Sequence, residues 1–138
     1  PTATRLASHV SIDTADLSRS GAFYRALFGV EPVLEKPDYV RFWPAELGLV
    51  LALNAHAPRT AGTGALQHLG ILFPDAATLR TTRERLAKAG FASTGKEHTV
   101  CCYAELDQFW ATDPDGVRWE LFLAHEEVVE QVPAASAC

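Results

Sequence analysis

The sequence predicts an α+β fold in which two β-α-β-β-β modules, related by pseudo-two-fold symmetry, form a curved mixed sheet around a metal site. Three observations predict this fold: a strand-and-helix pattern occurs twice about sixty residues apart, short extended segments follow each helix, and a histidine opens each copy. All 138 residues are expected to form one domain. It comprises a first module at about 5–56, a linker at 57–64, a second module at 65–125 and a C-terminal tail at 126–138.

The first module opens with a strand and a helix. Alternation over Ser8–Ile12 predicts the strand. Asp16 is a candidate N-cap for a helix whose apolar residues recur up to Gly29. Three extended segments are then expected, at Pro32–Leu34, Tyr39–Trp43 and Leu49–Leu53.

The second module repeats this order. Gln67–Phe73 repeats the strand, Asp75 repeats the helix cap, and the helix is expected to stop at Gly90. Residues 113–116 read Asp-Pro-Asp-Gly, which predicts a tight turn because proline presets one φ and glycine accepts a positive one. Extended segments are expected at Phe91–Thr94, Thr99–Ala104 and Val117–Leu123.

The composition limits the classes of partner. With 12 Lys+Arg against 17 Asp+Glu, the net charge is −5, so the basic surface that binds nucleic acid or an anionic membrane is missing. No apolar stretch approaches the ~18 residues of a membrane span. A small-molecule partner is therefore expected. The three cysteines, two of them adjacent, favour free thiols in a reducing compartment, and hence a cytoplasmic location.

Three side chains with metal-ligating chemistry share one position in the repeat. Alternation turns the opening histidines, His9 and His68, onto the face away from the helices. Aligning the two final strands on the glycines that precede them makes Ala52 the counterpart of Glu120, which lies on that same face. Two imidazoles and one carboxylate with open coordination positions are typical of non-haem Fe(II) oxygenases. The alternative is that they are ordinary strand histidines and a solvated edge glutamate. Surface positions are expected for the other histidines, which are His56, His98 and His125.

The adjacent thiols of Cys101 and Cys102 suit a soft centre such as trivalent arsenic or cadmium. Neighbouring strand residues point to opposite faces, so both thiols reach one atom only where the backbone leaves extended geometry. The alternative is that both are small buried hydrophobic residues. Cys138 is either a third soft ligand or an unengaged residue of the tail.

These patterns resemble a known group of proteins. The double module with its His, His and Glu positions resembles the vicinal oxygen chelate superfamily, which includes glyoxalase I, fosfomycin resistance proteins and extradiol dioxygenases. More narrowly, Thr99–Ala104, followed by Phe109–Gly116 and Trp119-Glu120, is similar to the organoarsenical carbon–arsenic lyases and the cadmium-induced proteins. The resemblance covers about Arg5 to His125. The adjacent cysteines are its most specific feature, because the Asp-Pro-Asp-Gly turn occurs across the superfamily.

The resemblance implies a reaction. Dioxygen-dependent cleavage of the carbon–arsenic bond in a trivalent methyl or aromatic arsenical would release arsenite and an oxidised organic fragment. One departure lies at Gln108, where relatives often carry a basic residue. Tyr103 and Cys138 are candidate accessory residues. The residues that carry the implied roles are His9, His68 and Glu120 for Fe(II), and Cys101 and Cys102 for arsenic.

Two other functions stay open from the sequence. One is a protein that binds or sequesters cadmium or arsenic without turnover. The other is a glyoxalase-like metalloenzyme, which is disfavoured because such sites usually have a fourth protein ligand where this chain has Ala52. The two modules pair either within one chain or between the chains of a homodimer.

Overall fold

The computed structural model describes residues 7–56, 66, 68–101 and 104–127, and it shows the β-α-β-β-β pattern twice. The predicted two-module α+β fold is confirmed. The first module consists of β1 (Ser8–Thr14), α1 (Leu17–Phe28), β2 (Leu34–Lys36), β3 (Tyr39–Phe42), a short 3-10 helix (Ala45–Leu47) and β4 (Leu49–Ala55). The second consists of β5 (Leu69–Leu72), α2 (Ala76–Lys88), β6 (Thr94–Cys101), β7 (Ala104–Thr112) and β8 (Arg118–Glu127).

Each module forms its own four-stranded mixed sheet. The strand orders are equivalent, β1-β4-β3-β2 and β5-β8-β7-β6, with the opening strand parallel to the final strand. The registers also agree, since Ser11 lies opposite Ala52 in one sheet and Gly70 lies opposite Glu120 in the other. Ala52 and Glu120 are therefore structural counterparts, and β1 and β5 are both edge strands.

Both helices begin at the predicted caps. The carboxylates of Asp16 and Asp75 each accept a hydrogen bond from the backbone N–H three residues on, at 2.9 and 2.7 Å. Helix α1 ends at Gly29, whose φ of 65° is the left-handed conformation that glycine adopts without strain. The helices have 12 and 13 residues, and neither is long and apolar enough to cross a membrane.

A shared core joins the two modules. Helix α1 packs against α2, and the ring of Tyr24 on α1 contacts Trp119 on β8 with centroids 6.1 Å apart. Trp119 Nε1 donates to Tyr24 Oη at 3.3 Å, and Tyr24 Oη donates to Asp113 Oδ2 at 2.7 Å. These buried bonds link the first helix to the turn before β8.

The two final strands are entered by different turns. In the second module the buried carboxylate of Asp113 accepts from the backbone N–H groups of Asp115 and Val117 at 2.9 and 2.8 Å. Burial raises the pKa of Asp113, against the opposing effect of its hydrogen bonds. In the first module the 3-10 helix ending at Gly48 takes this place without a buried carboxylate.

The strands of the second module correct the sequence prediction. The segment Phe91–Thr94 was predicted to be a strand, but β6 begins only at Thr94, the last residue of that segment. The segment Thr99–Ala104 spans the end of β6 and the start of β7, and most of β7 was not predicted. Its alternation is hidden because the neighbouring residues Asp107 and Gln108 are both polar and both buried.

The ends of the second module extend beyond the expected limits. Strand β8 continues to Glu127, two residues into the segment expected to be a tail. The predicted linker at 57–64 and the remainder of the tail lie outside the described residues.

Candidate metal centre

Two of the three predicted metal ligands meet at the edge of the second sheet. His68 directly precedes β5, and Glu120 lies on the neighbouring strand β8, opposite Gly70. His68 Nε2 and Glu120 Oε2 are 3.3 Å apart, and the side chains are 25% and 13% exposed. Neighbouring ligands of one divalent ion with bonds of about 2.1 Å lie roughly 3 Å apart. The separation of these two atoms fits a shared metal.

Gln108 orients the carboxylate of this pair. Its side chain is buried on β7, and its Nε2 donates to Glu120 Oε1 at 2.8 Å, which leaves Oε2 facing His68. Trp110, the register partner of Glu120, meets the His68 ring edge-on with centroids 5.0 Å apart. His68 Nδ1 is buried and finds no hydrogen-bond partner among the described residues. Partners that fix the orientation of a ligand are typical of metal sites.

His9 holds the equivalent position in the first module but does not join this pair. It is exposed on β1, two residues before Ser11, as His68 is two residues before Gly70. The metal-binding atoms of His9, His68 and Glu120 are not all within 4.8 Å of one another. Within one chain, therefore, the structure brings two of the three predicted ligands together.

Arg41 is a candidate site residue that sequence reasoning missed. It lies on β3 opposite Ala52, in the place that Trp110 holds opposite Glu120. Its Nε is buried and has no hydrogen-bond partner in the described part of the chain. Its only signal in the sequence is that it alternates with the buried residues Val40 and Phe42.

Of the predicted arsenic ligands, the described part of the chain includes Cys101. Cys101 is the last residue of β6, and its backbone pairs with Ala104 at the start of β7. Cys102, Tyr103 and Cys138 lie outside the described residues. The structure therefore places the backbone of one predicted thiol residue and leaves the arsenic site as a prediction.

The structure also gathers residues that the sequence assigned separately to the surface. Ligand atoms of His98, Asp107 and His125 all lie within 4.8 Å of one another, so this group could hold a metal ion. The two histidines are exposed, as expected, but no sequence pattern indicates that they lie together. The one feature of the sequence that could have indicated this group is that His98 and His125 flank the polar pair Asp107-Gln108 along the chain.

A separate apolar groove of about 710 Å³ runs between the two modules. Its walls include Phe28, Trp43 and Leu72, and none of the predicted metal or arsenic ligands lines it. The groove is therefore distinct from the candidate centre.

Comparison with known proteins decides the family. The family model for the Glyoxalase/Bleomycin resistance protein/Dioxygenase superfamily matches residues 7–121. The chain belongs to this superfamily. The superfamily assignment confirms the resemblance that the sequence motifs indicated.

Relatives within this superfamily are more specific. A trivalent organoarsenical cleaving enzyme from Bacillus sp. (strain MD1) is 36% identical over 132 residues, which cover 95% of this chain and 81% of that protein. The cadmium-induced protein CadI of Mycobacterium tuberculosis (strain ATCC 25618 / H37Rv) is 36% identical over 113 residues, covering 82% and 72%. The predicted resemblance to these two groups is confirmed.

A solved superfamily structure agrees in fold. The fosfomycin resistance protein FosX from Mesorhizobium loti has a TM-score of 0.66 at 18% identity, over 90% of this chain and 95% of that chain. At this identity the likeness concerns the fold alone.

Proposed function

We propose that this protein cleaves the carbon–arsenic bond of trivalent organoarsenicals, methyl or aromatic, in a reaction that requires Fe(II) and dioxygen and releases arsenite. The observation that carries the proposal is the His68–Glu120 pair, with donor atoms 3.3 Å apart, in a superfamily member. The substrate class is supported by 36% identity to an organoarsenical cleaving enzyme over 95% of the chain.

The proposed Fe(II) ligands are His9, His68 and Glu120, with His9 supplied by a second copy of the chain. His9 is exposed on β1, and both β1 and β5 are edge strands. Edge strands carry unpaired backbone groups that favour pairing with another strand. If β1 of one copy lies beside β5 of the other, His9 approaches the His68–Glu120 pair, and two-fold symmetry creates two such sites.

Fe(II) with open coordination positions supplies activation of dioxygen when bound. The chain's own residues hold the proposed metal ligands in place. Gln108 fixes the carboxylate of Glu120, so its second oxygen stays directed at His68. Trp110 packs against the His68 ring and limits its rotation.

The thiolates of Cys101 and Cys102 are the proposed arsenic ligands. Two As–S bonds form as two hydroxyl groups leave arsenic, each taking a thiol proton and departing as water. Sulfur holds arsenic because both are soft, and the tether keeps the scissile bond near the oxidant. For methylarsenite the atoms balance with dioxygen alone, since the products are formaldehyde and arsenous acid. Tyr103 and Cys138 are accessory candidates.

A cytoplasmic location forms part of the proposal. Arsenic binding needs both adjacent thiols in the reduced form, and the cytoplasm keeps thiols reduced.

The proposal is tested with substrate and air. Protein loaded with Fe(II) without oxygen, given methylarsenite and then air, is expected to release inorganic arsenite, measured by chromatography with arsenic detection. Cys101→Ser and Cys102→Ser are each expected to lower the rate by about 100-fold, or about 2.7 kcal/mol of transition-state stabilisation. Cys138→Ser tests the accessory role, and full activity of this variant would leave Cys101 and Cys102 as the thiols that the reaction requires. The absence of arsenite from the wild-type protein would contradict the proposal.

The cadmium-induced relatives favour a second candidate, which is binding of cadmium or arsenic without turnover. Stoichiometric binding with methylarsenite recovered intact would select it. Membership of a superfamily named for glyoxalase leaves a third candidate, a glyoxalase-like metalloenzyme. Turnover that persists without oxygen would select that chemistry.

A further inference from the structure

A second group of metal-binding side chains lies in the same sheet as the candidate centre. His98, Asp107 and His125 come from the adjacent strands β6, β7 and β8. His125 Nε2 lies 2.7 Å from Asp107 Oδ1, and the two imidazole rings stack with centroids 4.7 Å apart and planes 11° from parallel.

Irregular pairing on both sides of β7 brings these residues together. The β6–β7 register shifts between Lys96 and Thr99, so two residues of β6 face Asp107 alone. The β7–β8 register shifts between Glu105 and Leu106, which makes His125 an extra residue in β8. Bulges re-aim side chains in this way and are common next to functional sites.

The backbone of His98 supports the same conclusion. Its φ is 47°, the one positive φ among the non-glycine residues that the structure describes. Such a conformation is unfavourable for a residue with a side chain and persists where the surroundings hold it. Here the His98 N–H donates to Asp107 Oδ1 at 3.0 Å, which ties the strained residue to the carboxylate.

This group lies on the opposite face of the sheet from the candidate centre. Gln108 contacts Glu120 on one face of β7. Asp107 is its neighbour in the strand, and successive side chains point to opposite faces. The two groups therefore cannot share one metal ion.

The chemistry of the group suits a divalent transition metal. His98 Nδ1 lies 2.7 Å from Glu105 Oε1, a partner that fixes the ring and leaves Nε2 outside this bond. Histidine ligands of metals are typically oriented by a carboxylate in this manner. Burial opposes ionisation of Asp107, but the His98 N–H and the His125 ring outweigh it and lower the pKa of the carboxyl group. The carboxylate is thus charged at neutral pH.

A metal ion can reach this group from solvent. The side chains of His98 and His125 are 66% and 30% exposed, whereas Asp107 is 7% exposed. A bound ion needs ligand atoms roughly 3 Å apart, and His125 Nε2 and Asp107 Oδ1 are already 2.7 Å apart.

We propose that His98, Asp107 and His125 form a second metal site, which takes a divalent transition metal of the zinc class. The ion would cross-link β6, β7 and β8 close to Cys101, the last residue of β6. It would therefore fix β6 three residues before its end at Cys101.

The test measures Zn(II) binding in a full-length background in which the His68–Glu120 pair is broken and the three thiols are removed. This background carries His68→Ala, Cys101→Ser, Cys102→Ser and Cys138→Ser. At about pH 8, where imidazoles are largely neutral, it is expected to bind one equivalent of Zn(II) by calorimetric titration and to gain in Tm. Adding His125→Gln or His98→Gln is expected to weaken binding at least about 10-fold. Adding His56→Gln, which changes an exposed histidine of the first module, is the matched control.

Each outcome bears on the proposal. Circular dichroism and the zinc-free Tm of the His125→Gln variant establish that it folds like the background, and the exposed His98→Gln provides a second variant. Failure of the background to bind zinc, or a zinc affinity in both histidine variants that is unchanged from the background, would overturn the proposal. The arsenite assay above does not enter this test, so the two proposals fail independently.

Discussion

The two modules share a backbone plan but differ in the chemistry of their side chains. Strand β8 has Glu120 where β4 has Ala52, and β7 has Trp110 where β3 has Arg41. The second module also has longer antiparallel strands, of 8, 9 and 10 residues against 3, 4 and 7. One strand register thus supports a pair of candidate metal ligands in one half and a methyl group in the other.

The difference between the two final strands is tested by Glu120→Ala, which gives β8 the residue that β4 already has. This variant and His9→Ala are each expected to lower arsenite release by about 100-fold or more, since each removes a metal ligand. Mixing the two variants is expected to restore about a quarter of the wild-type activity, because half of the dimers are mixed and each has one complete site.

The control for this experiment is a mixture of Glu120→Ala and His68→Ala. Both changes fall in the second module, so no combination of these chains completes a site, and no recovery is expected. Recovery in neither mixture would contradict the proposed dimer.

The turns before β4 and β8 offer a second comparison. Asp113→Ala is expected to lower the free energy of unfolding by roughly 3 kcal/mol, because Tyr24 Oη and two backbone N–H groups lose a buried acceptor. Glu46→Ala, which removes an exposed carboxylate from the corresponding turn, is expected to change it by less than about 0.5 kcal/mol. Urea unfolding measures both, and similar losses would show that the buried carboxylate is not what stabilises the turn.

The mildest expected effect concerns Gln108, whose side chain orients the proposed metal ligand Glu120. Gln108→Leu removes the 2.8 Å hydrogen bond to Glu120 and is expected to weaken Fe(II) affinity about 10-fold, the lower end of the range for partners of metal ligands. Thr112→Val, an exposed change on the same strand, is the control. Equal affinity for the two variants, measured by anaerobic titration, would mean that Glu120 is held without Gln108.

Features with local causes were predictable. Asp16, Asp75 and Gly29 mark helix ends through interactions within a few residues, so their pattern is visible along the chain. The repeat itself predicted that Ala52 and Glu120 are counterparts, because equal spacing from a turn gives equal register.

Features that depend on pairing between strands were not predictable. The bond from Gln108 to Glu120 joins neighbouring strands, and nothing near either residue indicates it. The grouping of His98 and His125 depends on two register shifts that have no simple signature in the sequence. Strand β7 was missed for a related reason, since polar Asp107 and Gln108 are buried on opposite faces.

The sequence by itself determined the module, its duplication and the residue types available for metal chemistry, because helix caps, turns and alternation act over short distances. The tertiary structure decided which of those residues meet. Side chains on different strands converge only after register and bulges are set, and these are fixed by packing across the whole sheet. That is why His68 and Glu120 lie together, why His9 does not join them within one chain, and why a second histidine group appears on the opposite face.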